Sequence, residues 1–241
     1  MAEINLTKFI ASNSDYSRRQ AEDLIRNNNV TVDNVLAVLG AKVQGTEKVQ
    51  VMGRDIIPTE DQIYIKINKP EGYTCSNRVF KNEKSVFSLI DSRLRLFSVG
   101  RLDKNSSGLL ILTNDGDLTY QLTHPKFQHS KIYWVRLSPD NRLRQPDFLN
   151  SIAVEFRRGI DIQEKTLARA RNLKFLGNDS FQVELTEGKK RQIREMFLCF
   201  NLKVQELIRV EFSGIKLGNL KVGEFKNLSG EEIKKLKYGA K

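Results

Sequence analysis

Cysteine and histidine are scarce in this chain. Its 241 residues include two cysteines, Cys75 and Cys199, and two histidines, His124 and His129. With so few ligands and no CxxC pair, a metal site is not expected. The cysteines lie far apart, each among residues typical of packed segments, so free buried thiols are expected rather than a disulfide. A cysteine–histidine nucleophile pair finds no support in the residues around either. No apolar run approaches the ~20 residues that a membrane span requires. The opening MAEINLTKFIASN lacks the apolar core of a secretion signal. The expectation is a soluble, cytoplasmic protein.

Positive charge is abundant. Lysine and arginine number 40 against 29 acidic residues, a net charge of +11. Such an excess points to a polyanionic partner, nucleic acid or an anionic membrane surface, and the chain has no basic amphipathic helix suited to the membrane. Residues 1–58 are neutral, with seven residues of each sign, so the whole excess falls in 59–241. Pro58-Thr59-Glu60-Asp61 is a polar stop, and the expected domains are 1–58 and 59–241.

The first domain reads as two short helices and a small sheet. Leu6, Phe9 and Ile10 share a helix face, and Ser17 to Gln20 matches a capping box. Ala21, Leu24 and Ile25 point inward on the second helix, which Asn27-Asn28-Asn29 ends. Strands follow at 30–32, 35–39 and 48–51. In the second domain, Ile63 to Ile67 alternates like a half-buried strand, 68–73 reads as a turn, and 84–90 as a short helix. Strands are expected at 131–137, 181–185 and 207–212, and a helix at 193–200. Residues 143–156 carry no clear period, and the charged tail from Glu231 is expected to fray.

One stretch stands out, Phe97 to Asp117. A short apolar approach and a turn at Gly100 lead into the polar loop Arg101 to Ser107, and the apolar run Leu109 to Leu112 follows. It ends in Asn114-Asp115-Gly116-Asp117, where Asp117 is placed to cap the next helix. A loop fixed at both ends by packing keeps its tip exposed. Asp103 is the only carboxylate on that tip. Composition alone would make it a turn residue bonded to Ser106 or Ser107.

Motifs decide otherwise. SRRQAEDLI, VTVDN and VLAVLGAKV resemble the S4 RNA-binding domain, with Asn28 and Asn34 standing where that family usually has glycine. INKPEGY, SVGRLDKNSSGLLILTNDGDL, HPKFQHSKIYWVRL, EGKKRQIREMF and LKVGEFKNLS then resemble, in order, the S4-domain-containing ribosomal RNA pseudouridine synthases. The resemblance implies an α+β protein: a small S4-type domain, then a mixed, largely antiparallel sheet flanked by helices. By matching position it implies Asp103 as the catalytic aspartate, Tyr133 as the active-site aromatic and Arg194 as the cation beside Asp103. Arg101, Lys189, Lys190 and Arg191 would hold RNA, joined by Lys8, Arg18, Arg19 and Arg26 of the first domain. The family usually has a glutamate shortly before its KxY, whereas Gln128-His129-Ser130 precedes Lys131 here.

The chemistry accounts for these residue types. Converting uridine to pseudouridine breaks a C–N glycosidic bond, turns the base while it stays bound, and joins its C5 to the same sugar carbon. No atom is lost, so no cofactor is expected and one carboxylate suffices where a glycosidase needs two. Asp103 would serve as nucleophile or take a sugar proton, and the sequence leaves both open. The substrate class implied is ribosomal RNA, free or in an assembling subunit, bound by a monomer. The large subunit is favoured, with the small subunit and a non-catalytic assembly factor as alternatives.

Overall fold

The computed structural model describes residues 3–58, 62–78, 81–91, 95–162 and 166–239, and they divide into two units. The first takes in the described residues up to Ile63 with those of Asp91–Phe97 and Thr113–Gly116. In it β1 (Ile4–Asn5) runs into α1 (Leu6–Ser12), where the Thr7 amide donates to the Asn5 side chain. α2 (Arg18–Arg26) opens on the expected capping box: the Gln20 amide donates to Ser17 Oγ and the Ser17 amide to Gln20 Oε1. Asn28, at φ +57°, lies just past its end.

β2 (Val30–Val32) and β3 (Val35–Leu36) form a hairpin over Asp33 and Asn34, both at positive φ, the geometry that fits strand twist. β3 ends at Leu36, short of Leu39: the Ala37 amide still pairs with the Val30 carbonyl, and Val38 and Leu39 beyond it are exposed. β4 (Lys42–Val43) pairs with β1, while β5 (Val49–Val51) and β6 (Arg54–Asp55) complete the sheet order β3-β2-β5-β6. Phe9, Ile10, Ala21 and Ile25 pack over Val30, Val49 and Val51. A cut at residue 58 does not coincide with this unit. The Ile63 amide donates to Asn114 Oδ1, and Arg95 Nη1 donates to the Asp15 carbonyl, both at 2.8 Å. Residues 59–61 of the expected stop lie outside the described residues.

The second unit begins with β7 (Tyr64–Lys69), β8 (Tyr73–Thr74), β9 (Lys84–Ser85), β10 (Phe97–Val99) and β11 (Ser107–Thr113). Then come α3 (Gly116–Thr123), β12 (Lys131–Leu137), α4 (Pro146–Arg158), β13 (Ile160–Ile162), β14 (Thr166–Ala168), β15 (Asn172–Gly177) and β16 (Ser180–Leu185). α5 (Gln192–Leu198), β17 (Val204–Phe212), β18 (Ile215–Lys216), β19 (Phe225–Asn227) and α6 (Gly230–Tyr238) complete it. The main sheet runs β15-β16-β12-β17-β11-β7-β19, with β10 on β11 and β18 on β17. β12 is antiparallel to both neighbours, whereas β11 runs parallel to β17, so the sheet is mixed and largely antiparallel.

Several expectations are corrected here. β7 is buried along its whole length rather than on one face, because it lies between β11 and β19 and its polar residues are bonded inside. Lys66 reaches Glu232, and Asn68 Nδ2 donates to the Leu220 carbonyl. Residues 84–90 form a two-residue strand and a 3-10 turn, Val86–Leu89, rather than an α-helix. Asp117 sits inside the first turn of α3 instead of capping it. The unassigned 143–156 is mostly α4, which buries Ile152 and Phe156. The tail does not fray through Tyr238: α6 opens on a Ser229–Glu232 capping box and buries Leu236.

One irregularity re-aims side chains. Along β12 and β17, Ile132 faces Glu211 but Tyr133 faces Arg209, so Val210 is bulged out. The buried positions of β17 therefore run Leu207, Arg209 and then Phe212, three residues on, as a bulge permits.

Candidate active site

Gly100, at φ +72°, turns the chain out of β10 into the loop that carries Asp103. The loop is pinned at each side of that residue. Leu102 is buried, its amide donating to Cys75 Sγ and its carbonyl accepting from the same thiol. The Ser106 amide closes back on the Asp103 carbonyl at 3.0 Å, and the Gly72 amide donates to the Lys104 carbonyl at 2.8 Å. From beneath, the fully buried Lys69 places Nζ 2.6 Å from the Ser106 carbonyl and 2.9 Å from that of Pro70. Sequence reading missed Lys69, taking it for part of a turn. Burial lowers its pKa, while the nearby charges of Glu71 and Asp103 oppose that shift.

The Asp103 carboxylate itself has no hydrogen bond or ion pair among the described residues. The side-chain turn to Ser106 or Ser107 does not form, and Ser106 Oγ is buried without a partner. Asp103 instead lines a cleft of about 1120 Å³. Tyr133 and Lys131, two apart on β12, reach the same cleft, as do Arg209 and Phe212 from β17 and the expected RNA-binding Arg101, Lys189, Lys190 and Arg191.

Arg194 is placed differently from the expectation. Its guanidinium fork does not meet the Asp103 carboxylate. Nη2 donates to the Asn105 carbonyl at 2.6 Å and Nη1 to that of Val204 at 3.0 Å, and Nε is buried without a partner. It therefore meets the loop at Asn105 rather than at the carboxylate. Burial lowers its pKa, Arg191 adds to that, and Asp103 draws it back. Lys189 is engaged by Glu187, 3.1 Å away, and by the Leu167 carbonyl, which leaves Lys190 and Arg101 as the freer cations on the rim. Arg191 holds a left-handed backbone at the start of α5, 3.6 Å from Glu195.

Lys131 donates to the His129 carbonyl at 2.8 Å. Burial, with Arg209 beside it, pulls its pKa down to about 8, against a weaker opposing pull from Glu187. In the first unit, Arg18 and Arg19 are exposed, Arg26 lies 3.6 Å from Asp23, and Lys8 is half-buried. The thiols also depart from expectation: Cys75 is half-buried and Cys199, closing α5, is exposed, both free. Among the described residues no helix is long and apolar enough to cross a membrane.

Comparison with known proteins adds a second line. Residues 63–198 match the family model described as RNA pseudouridylate synthase. An RNA pseudouridine synthase of Rickettsia typhi is 34% identical over 96% of this chain and 94% of its own length. Ribosomal large subunit pseudouridine synthase B of Bacillus subtilis is 33% identical, covering 96% of this chain and 95% of its own. A crystal structure of a pseudouridylate synthase superposes over 97% of this chain and 99% of its own, with a TM-score of 0.68 at 28% identity.

Proposed function

Because the chain belongs to the RNA pseudouridylate synthase family, we propose that it isomerises a uridine of ribosomal RNA, in the large subunit, with Asp103 as the group that acts on the sugar. The observation that carries this reading is a carboxylate held on a pinned loop, facing a cleft rimmed by cations, with no partner of its own among the described residues. Ribosomal RNA of the large subunit is the substrate that the name of the Bacillus subtilis relative suggests.

In this reading the target nucleotide is turned out of its stack into the cleft, at a cost of a few kcal/mol. Asp103 then attacks C1′ or takes the C2′ proton, and in either route the electron pair of the C1′–N1 bond leaves with the base. Tyr133 offers its ring to the extruded base and its hydroxyl to a late proton transfer. Arg194 holds the loop beside Asp103 through its hydrogen bond to the Asn105 carbonyl. Arg101, Lys190 and Arg191 meet phosphates at the rim. The first unit is an S4-type RNA-binding domain whose exposed Arg18 and Arg19 grip the backbone, and the protein works as a cytoplasmic monomer.

The test is a map of pseudouridines in ribosomal RNA from cells lacking the protein, complemented with wild type or with Asp103→Asn. One large-subunit site should vanish and return only with wild type. Persistence of every site in the deletion strain overturns the isomerase reading. Restoration by Asp103→Asn removes Asp103 from the chemistry and leaves an RNA-binding assembly role.

A further inference from the structure

Asp103 accounts for the sugar, but the base still needs a receiver. Once the C1′–N1 bond has broken, the base is an anion, its charge spread over N1 and the carbonyl oxygens O2 and O4. It must turn and present C5 to the same carbon without escaping. On the cleft wall, Lys131 and Arg209 both lie close to the ring of Phe212: Nζ is 5.9 Å from its centroid, and the guanidinium carbon 5.3 Å. The bulge at Val210 is what puts Arg209 and Phe212 on one face.

Among the described residues neither cation has a counter-ion in contact. Arg209 is 1% exposed, and its Nε donates to the Leu109 carbonyl at 2.7 Å, yet its Nη2 is buried without any partner. The only hydrogen bond of Lys131 Nζ among the described residues goes to the His129 carbonyl. The glutamate that the family usually carries just before this lysine is absent, so no carboxylate arrives from that side. Glu187 is taken up by Lys189 and by Gln192 Nε2. Two neighbouring cations in a low-dielectric wall are costly when alone and strongly stabilised by an anion.

The surroundings say which anion. Leu122, Leu207 and Phe212 line the same cleft. A phosphodiester would gain nothing from them, whereas a flat heterocycle buries its faces there. Resting on the pseudouridine synthase reading, we propose that Lys131 and Arg209 are catalytic residues that form a cationic seat for the detached uracil anion. They stabilise the charge that develops as the glycosidic bond breaks and retain the ring while it turns. Point charges suit this task because their attraction survives rotation of the ring, which a fixed donor–acceptor pair would not allow. The step balances. The base takes the bond's electron pair, C5 later donates a pair to C1′ and loses its proton, and N1 gains one, so the product is an isomer of the substrate.

The experiment is single-turnover cleavage of the C1′–N1 bond in a target stem carrying uridine or 5-fluorouridine. Fluorine at C5 withdraws charge and makes the base a better leaving group without help from the protein. Lys131→Met should slow the uridine substrate about 100-fold, the usual loss when one preorganised charge-stabilising group is removed. It should slow the fluorinated substrate by a clearly smaller factor. Lys131→Arg and Arg209→Lys keep the charge and should retain most of the rate, with melting temperatures reporting that each variant folds.

Because the charged ammonium is required, the wild-type rate should fall as pH rises through about 8, and Lys131→Arg should remove that fall. Arg209 from β17 and Glu187 after β16 are the charged groups bearing on Lys131, and His129, its pKa lowered by burial, is neutral in this range. Equal losses on both substrates with weakened RNA binding would assign the cations to phosphate and overturn the proposal. A rate that climbs through pH 8 would make Lys131 a base and overturn it as well. A wild-type protein that forms no pseudouridine would strike the underlying reading instead.

Discussion

At Asp103 the backbone is held on both sides while the carboxylate is left alone. Its substitution should separate chemistry from folding. Asp103→Asn should lower the single-turnover rate by at least about 1000-fold, as removal of a nucleophile does. It should shift Tm by no more than about 2 °C, since the carboxylate bonds to nothing that would be left unpaired. Lys69 is the opposite case. Lys69→Met leaves the Ser106 and Pro70 carbonyls without their buried donor, so both Tm and kcat should drop while KM for RNA stays near wild type. Calorimetry and steady-state kinetics on one preparation read both. The two residues also differ in how they show in the sequence. Asp103 is marked by GRLD, but Asn68-Lys69-Pro70-Glu71-Gly72 has the composition of a turn, and a lysine is almost never fully buried. Its donors matched to main-chain carbonyls are visible only in three dimensions. Arg194 was legible as a cation near Asp103, but not that its fork would be occupied by main-chain oxygens.

Two elements owe their places to single interactions. α6 is fastened to β7 by Lys66 and Glu232. Burial pushes the Glu232 carboxyl up, but the Lys66 hydrogen bond and the Ser229 amide together carry it below its ordinary 4.5. With the folded pKa lowered, its stabilising contribution is complete above about pH 4.5 and is lost as pH falls through the lower folded value. Stability followed by circular dichroism should therefore decline in wild type over that acid range, and Glu232→Gln should flatten that part of the curve. β11 lies against β17 at Gly108, whose φ is +103° and where a Cβ would sit 2.4 Å from the Arg209 carbonyl oxygen. Gly108→Ala should therefore cost roughly 2 to 4 kcal/mol and disturb Arg209 itself, read by denaturant titration. Elements with strong local signals were readable: the Ser17 capping box, the Asp33-Asn34 turn and the alternation of β12. α4 was not, because Gln145 makes no side-chain cap and only Ile152 and Phe156 are buried along it. β7 misled in the other direction, its polar positions being paired inside rather than solvated.

At the scale of the whole molecule, charge and chain division set what can be tested. The net charge resides beyond residue 58, so any RNA grip by the first unit depends on a few exposed side chains. Replacing Arg18 and Arg19 together by glutamate should weaken RNA binding and reduce the slope of log K against log salt by about 2, one for each phosphate no longer neutralised. Cleavage chemistry on a bound short stem should be unchanged. Point substitution is the better probe than truncation at residue 58, which would take from Arg95 its acceptor on Asp15 and so disturb the chain well beyond the cut. Val210, which has no opposite number on β12, acts in the sheet as a phase slip. Before it the cleft receives odd-numbered residues of the strand, Leu207 and Arg209, and after it an even-numbered one, Phe212. Pairing that residue into the ladder, so that the bulge is lost, would leave every cleft side chain in the sequence and still send Phe212 to the opposite surface. The parity of the spacing along β17 is thus as binding on this cleft as the identity of any side chain in it.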